Sequence, residues 1–209
     1  MITIHDAPQG TPEWLSARAG CVTGSRASDV LAKIKTGEAA ARRDYRTQLV
    51  AERLTGRPEE SGFVNDAMRW GTEQEPFARM AYESETGNMV RETGFIRMTD
   101  KYVGCSLDGD IDDFTGIVEI KCPKTSTHIG WMLAGKLPSQ HVAQVTHNMM
   151  VTGAKWCDFV SYDPRLPDNL RLFIVRVNRE DVDIDGYKKE LDQFLAEVAE
   201  TESQLRARQ

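Results

Sequence analysis

The sequence predicts an α/β protein with a central mixed β-sheet flanked by helices, and two observations carry that prediction. The elements run in the order helices, a strand cluster, one helix, two strands and a closing helix, which sets helices against the faces of a sheet. The order is not a repeated strand–helix–strand unit, so parallel and antiparallel pairs are both expected.

The elements follow from local signals. Thr11-Pro12-Glu13 supplies a capping hydroxyl, a proline for the first turn and an acid near the positive end of a helix, which Gly20 closes. Thr23, Gly24 and Ser25 begin a second helix over SRASDVLAKI. A third covers 39–55, with Leu49, Val50 and Leu54 as its apolar spots, and stops at Gly56 and Pro58. Asn65 caps a fourth that runs toward Gly87, bent or interrupted at Pro76. MVRETGFIRM, residues 89–98, should pair with YVGCSL, and that strand with GIVEIKC. A helix from Pro138 or Ser139 to Thr152 stops at Gly153. On it Val142, Val145 and Met149 should pack on the sheet, while His141, Gln144 and Asn148 share a second face. WCDFVSY and LRLFIVRVN read as two more strands around the turn DPRLPDN. The last segment, 180–208, is an amphipathic helix with Tyr187, Leu191, Phe194, Leu195 and Val198 on one side.

At 209 residues the chain should form one domain, with a helical part at about 11–87, a sheet core at about 88–177 and the closing helix at about 180–208. A hydrophobic content of 40% and a charged content of 28% are ordinary for a globular chain. No apolar run approaches a membrane span. MITIHDAPQG has no basic region ahead of an apolar stretch, so no signal peptide is expected. Cys21, Cys105, Cys122 and Cys157 form no CxxC pair and read as reduced, partly buried thiols without structural zinc. The net charge is -6, yet residues 1–57 carry nine Lys and Arg against six Asp and Glu. That uneven distribution is compatible with a nucleic-acid-facing side and does not demand one.

The stretch VGCSLDGDIDDFTGIVEIKCPK, 103–124, is where chemistry concentrates. It reads as two strands joined by an acidic turn, with Asp108 ending the first. Glu119 and Lys121 flank Ile120 on the second, so their side chains point to one face. Folded back, Asp108 would join Glu119, giving two carboxylates beside an ammonium. Carboxylate oxygens suit a hard cation such as Mg2+, and the lysine can orient or deprotonate a water, as metal-assisted phosphodiester hydrolysis requires. Two other readings stand beside this one. Asp108, Asp110, Asp112 and Glu119 occupy positions one, three, five and twelve of a calcium loop, although position six is Asp113 instead of Gly and the flanks read as strands. The plainest alternative is an acidic hairpin turn beside a surface Glu and Lys.

Asp108 followed by Glu119-Ile120-Lys121 resembles the PD-(D/E)XK nuclease signature, with Leu107 where a proline often precedes the first acid. Further motifs appear in order: Trp14, Arg18, Gly20, Thr23 and Ser25 within WLSARAGCVTGSRASDVL, then WGTEQE at 70–75 and DKYVGCSLDG at 100–109. After them come VEIKCPKTS at 118–126, HVAQVTHNMMVTG at 141–153 and YDPR at 162–165. Together they resemble the phage-type alkaline exonucleases, the lambda exonuclease or YqaJ-like viral recombinase family, over roughly residues 11 to 200.

The resemblance implies a restriction-endonuclease-like PD-(D/E)XK fold. It implies a deoxyribonuclease that degrades one strand of duplex DNA from 5′ to 3′ and leaves a 3′ single-stranded tail for recombination by annealing. Asp108, Glu119 and the Ile120 carbonyl would hold Mg2+, or Mn2+ in its place, with two ions in the active complex. Lys121 would act on the water, Glu75 through a bound water, and Gln144 as the active-site glutamine. Arg18, Ser25 and Ser106 would hold a 5′-phosphate, for which a guanidinium fork and a helix start are suited. His141, where the family often has tyrosine, is not expected to be a ligand, and Asp100 matches an acidic position without an evident role. The implied partners are DNA ends, two further copies in a ring-shaped homotrimer and a single-strand annealing protein, in the cytoplasm of a bacterial host of a phage or prophage. The alternatives to this function are an endonuclease of the same fold and a non-catalytic DNA- or calcium-binding module.

Overall fold

Capping side chains and glycine stops set the helix ends in the computed structural model, which describes residues 1–59 and 65–208. Helix α1, Pro12–Arg18, starts where the Thr11 hydroxyl accepts the Trp14 N–H. The expected second helix is shorter than its sequence pattern: a 3-10 turn at Gly24–Arg26 leads into α2, Ala27–Val30. Helix α3, Ala40–Thr55, ends at Gly56 with φ +67°. Asn65 caps α4, Asp66–Thr86, by accepting the Met68 N–H at 2.8 Å, and the helix continues through Pro76 to Gly87. Helix α5 is Thr125–Ala134, α6 is Ser139–Thr152 and α7 is Ile184–Arg206. Periodicity does not announce α5, because its apolar residues Ile129, Trp131, Met132 and Leu133 crowd together around Gly130. Tertiary contacts hold it: His128 Nε2–H donates to the Leu170 carbonyl at 2.9 Å, which leaves Nδ1 to accept from Ser161 at 2.7 Å.

The strands are β1 (Ile2–His5), β2 (Val22–Thr23), β3 (Phe95–Met98), β4 (Val103–Cys105), β5 (Gly109–Ile111), β6 (Gly116–Lys121), β7 (Trp156–Tyr162) and β8 (Leu172–Asn178). They form two four-stranded sheets instead of one. The first has the order β1-β3-β4-β2 and the second β5-β6-β7-β8. Each is mixed: β2 with β4 and β6 with β7 are parallel, and the other pairs are antiparallel. The predicted pairing of YVGCSL with GIVEIKC is corrected here. Ile96 of β3 faces Cys105 of β4, but β6 pairs with Gly109–Ile111. The chain leaves the first sheet after Cys105 and enters the second at Gly109. Across that break the Asp108 carboxylate accepts the Ile120 N–H at 2.6 Å, where a ladder carbonyl would otherwise stand.

The tight turn after β5 disfavours a calcium loop. Asp112, Asp113 and Phe114 all take left-handed φ values of +50°, +51° and +65°. Asp110 is buried, accepting from Arg91 at 2.8 Å and from the Phe114 N–H at 2.5 Å. Both of its oxygens are thereby already engaged.

Helix α4 covers one face of the second sheet, with Ala78 and Tyr82 packed on Val118, Ile120 and Val160. On the other side, Val145 and Met149 of α6 join Ile117, Cys157 and the α7 residues Tyr187, Leu191, Phe194 and Val198. Val142, expected in that packing, is 38% exposed, as is Leu54 of α3 at 39%. The Tyr45 and Phe194 rings stack 5.7 Å apart and join α3 to α7. His147 fixes the rotation of α6: its Nε2–H donates to the Gly104 carbonyl at 2.9 Å, and its Nδ1 accepts the Tyr187 hydroxyl at 2.7 Å. Burial pushes this imidazole down to about 4, so it is neutral. Cys21, Cys105 and Cys157 are buried and Cys122 half-buried, all as free thiols. No helix is long and apolar enough to cross a membrane among the described residues.

Candidate active site

Strand alternation puts Ile117, Glu119 and Lys121 on the α6 side of β6 and Val118 and Ile120 on the α4 side. Glu119 is 1% exposed, and its two oxygens are engaged separately. Oε1 takes the Lys121 ammonium, and Oε2 accepts Asn148 Nδ2 at 3.1 Å. Lys121 Nζ also stands 3.9 Å from Asp108 Oδ2. The three residues that sequence spacing brings together on paper do meet in space. The N–H and C=O of one strand residue point to the same edge. The Ile120 N–H goes to Asp108, so its carbonyl faces the same region.

Glu75 reaches this region from α4. Burial and the Asp108 charge push its pKa up to about 7, although Arg79 lies 3.4 Å from its Oε1. Burial likewise pushes Glu119 up to about 7 against the opposing pull of Lys121, and the Asp108 charge adds to the rise. For Lys121, burial works against the charge, but Glu119 and Asp108 outweigh it and hold the group as an ammonium. Glu75, Asp108, Ile120 and Lys121 line a cleft of about 460 Å³ whose far wall includes Trp131 and His141. The His141 ring lies 5.4 Å from Trp131 and 5.2 Å from Phe159, and burial pushes it down to about 4. It is a neutral aromatic wall. Cys122 also lines the cleft, and burial lifts its thiol to about 12, which disfavours a thiolate nucleophile. Another cleft of about 460 Å³ is lined by Arg42, Arg46, Glu38 and Glu197, whose charges are already paired with one another.

The donor set fits a hard divalent cation. Burial and the Asp108 charge raise the pKa of Glu75 and Glu119, and a cation relieves both effects; Asp108, Glu119 and the Ile120 carbonyl offer only oxygen. Among the described residues no three His, Cys, Asp or Glu side chains gather into a cage. Mg2+ does not need one, since it keeps waters and takes one or two carboxylates plus substrate phosphate.

A second cluster adjoins this one. The Arg18 guanidinium lies 4.3 Å over the Trp14 ring and donates to the Thr23 hydroxyl at 3.5 Å, which in turn lies 3.5 Å from that of Ser25. The Trp14 indole donates to Ser106, two residues before Asp108, at 3.1 Å. Arg18, Ser25 and Ser106 are thus gathered around Thr23 and Trp14. Gln144 is half-buried on α6, one turn before Asn148, and the amide that reaches Glu119 is that of Asn148. Asp100 is exposed in the turn between β3 and β4.

Sequence reasoning placed Asn148 on the right helix face without giving it a role. Arg165 was visible only as part of YDPR. It grips buried Asp163 and donates to the Pro123 carbonyl at 3.1 Å, and it lies 4.6 Å over the Trp70 ring of α4. One guanidinium so ties the exit of β6 to the helix that carries Glu75.

A model of the YqaJ-like viral recombinase domain matches residues 13–155. The chain is similar to a solved structure of LHK-Exo in complex with dAMP: identity is 44%, coverage 94% of this chain and 96% of that chain, and TM-score 0.84. A second structure, of the alkaline exonuclease LHK-Exo from Laribacter hongkongensis, is 43% identical over 94% and 96%, with TM-score 0.83. A phage-related exonuclease from Haemophilus somnus is 14% identical over 90% and 95%, with TM-score 0.66, and shows the same fold. Comparison with curated proteins found no match.

Proposed function

The chain belongs to the YqaJ-like viral recombinase domain family, and from that premise we propose that it is a Mg2+-dependent exonuclease that degrades one strand of duplex DNA from 5′ to 3′. The observation that carries the reading is the meeting of Asp108 and buried Glu119 at the Lys121 ammonium, beside a cleft that Asp108, Ile120 and Lys121 line. Identity of 44% to an alkaline exonuclease along nearly the whole chain supports the reaction class. A Trp and a neutral His on the cleft wall give flat surfaces suited to nucleobases.

Asp108, Glu119 and the Ile120 carbonyl would hold the cation, Mg2+ or Mn2+, with two ions in the active complex. Bound there, it would supply charge at the scissile phosphate and lower the pKa of water. Lys121 lies between the two acids, where it orients or deprotonates the attacking water and meets developing negative charge. Glu75 accepts from water at the cleft's edge. Gln144 contacts substrate from α6. Arg18, Ser25 and Ser106 hold the 5′-phosphate of the strand end, with Trp14 seating the arginine. Family membership further supports a homotrimeric ring, a single-strand annealing protein as partner, recombination through the 3′ tail, and a phage or prophage origin in the bacterial cytoplasm.

The test uses linear duplex labelled at each 5′ end in turn, with Mg2+. The unmutated chain should release mononucleotides from the 5′ end and spare covalently closed circles. Asp108→Asn and Lys121→Ala should lower the rate by at least ~100-fold, as expected for loss of a group that stabilises the transition state. Normal turnover by either variant would refute the assignment, and rapid nicking of closed circles would make it an endonuclease.

A further inference from the structure

We propose that Asn148 is a positioning residue for the Glu119 carboxylate and that Gly24 is its obligatory partner, so that one amide links the cation-holding acids to the turn bearing Ser25. The inference rests on the reading of Glu119 as a cation ligand.

Packing alone does not explain an asparagine here. Position 148 is 1% exposed, and its α6 neighbours Val145 and Met149 are apolar core residues. A carboxylate accepts hydrogen bonds, so the amide must present Nδ2 to Glu119 Oε2, as it does at 3.1 Å. That choice sends Oδ1 the other way. There Oδ1 is buried and has no hydrogen-bond partner among the described residues. An orphaned buried acceptor lowers stability, and an apolar side chain of similar size would avoid the loss. What the asparagine gains is control of Glu119.

Gly24 makes room for this arrangement. A Cβ at position 24 would stand 2.2 Å from Asn148 Oδ1 and 3.2 Å from its Cγ. Any side chain at 24 therefore displaces the amide from Glu119 or the turn from α6. Helix α6 cannot rotate away easily, because the adjacent His147 is bonded to both Gly104 and Tyr187. Gly24 opens the 3-10 turn that carries Ser25 and follows Thr23, the partner of Arg18. The grip on Glu119 and the placement of the Arg18–Ser25 cluster are thus mechanically joined through one contact between residues 24 and 148.

The test compares the unmutated chain with Asn148→Ala, Asn148→Ser, Gly24→Ala and the double variant Gly24→Ala/Asn148→Ser. Mg2+ is titrated calorimetrically into each protein without DNA, and the Mg2+ dependence of duplex cleavage is measured beside it. Asn148→Ala should weaken Mg2+ binding ~10-fold or more, the range seen when a partner of a metal ligand is removed. The half-saturating Mg2+ for cleavage should rise by the same factor. Gly24→Ala should shift both in the same direction, and its effect should shrink or vanish in the Asn148→Ser background, where Oδ1 is gone. Unaltered Mg2+ binding by folded Asn148→Ala overturns the proposal while leaving the nuclease reading intact. So does an equal effect of Gly24→Ala in both backgrounds. If Asn148→Ala does not fold, Asn148→Ser and the Gly24→Ala pair decide by the same measures. An unmutated chain that neither binds Mg2+ nor cuts DNA overturns both readings.

Discussion

The indole N–H of Trp14 donates to the Ser106 hydroxyl at 3.1 Å, which joins the helix of Arg18 to the segment of Asp108. The same ring lies 4.3 Å beneath the Arg18 guanidinium. Trp14→Phe keeps an aromatic face but removes the N–H. The variant should cut 5′-phosphorylated duplex ~10-fold more slowly, the worth of one hydrogen bond at the upper end of the usual range, and 5′-hydroxyl duplex little more slowly than the unmutated chain. Equal slowing on both ends would assign the ring to general packing.

Proton release should accompany cation binding. Burial pushes Glu75 and Glu119 up to about 7, with the Asp108 charge adding to it, and a cation takes the ionised forms. At limiting Mg2+ the cleavage rate should climb as pH rises through about 7. Raising Mg2+ should move that climb to lower pH. Rate profiles at two Mg2+ concentrations that superimpose would uncouple these carboxylates from the cation.

Asp163 should contribute to acid sensitivity. Burial raises its pKa, but hydrogen bonds from Arg165 and Thr125 prevail and hold it at about 2, below the ~3.9 of a free aspartate. A depressed folded value means the contribution is fully present above about pH 4 and is lost as pH falls toward about 2. Asp163→Asn should therefore melt below the unmutated chain at pH 7, with the gap narrowing under pH 4. Thermal melts across pH 7 to 3 measure it, and a constant gap is the contrary result.

The α3–α7 contact should be the most sensitive part of the helical packing. Phe194 is fully buried and stacked on Tyr45, so Phe194→Ala should cost ~3–5 kcal/mol in urea unfolding. Leu133, 84% exposed on α5, is the control; its alanine variant should fall within ~0.5 kcal/mol of the unmutated chain. Similar losses at both positions would contradict the packing described.

Several features were legible because their causes are local. Thr11 and Asn65 cap the helices expected of them, and Gly56, Gly87 and Gly153 stop theirs in left-handed backbone. The α7 stripe of Tyr187, Leu191, Phe194 and Val198 is buried as its period demands. Helix α5 escaped notice because its anchor, His128, bonds to Ser161 and Leu170, residues far along the chain.

The sequence alone determined the ends of α3, α4 and α6, the strand alternation that turns Glu119 and Lys121 to one side, and the acidic residue able to join them. Tertiary structure alone decided that Asp108 sits in the break between two sheets with its carboxylate on the Ile120 N–H. It also decided that Asn148 instead of Gln144 reaches Glu119, over a glycine 124 positions earlier. The physical reason is range. Caps, stops and side-chain alternation act through bonds within a few residues, whereas a carboxylate pair is brought together by sheet pairing and helix docking among β6, α4 and α6, which no single stretch of chain encodes.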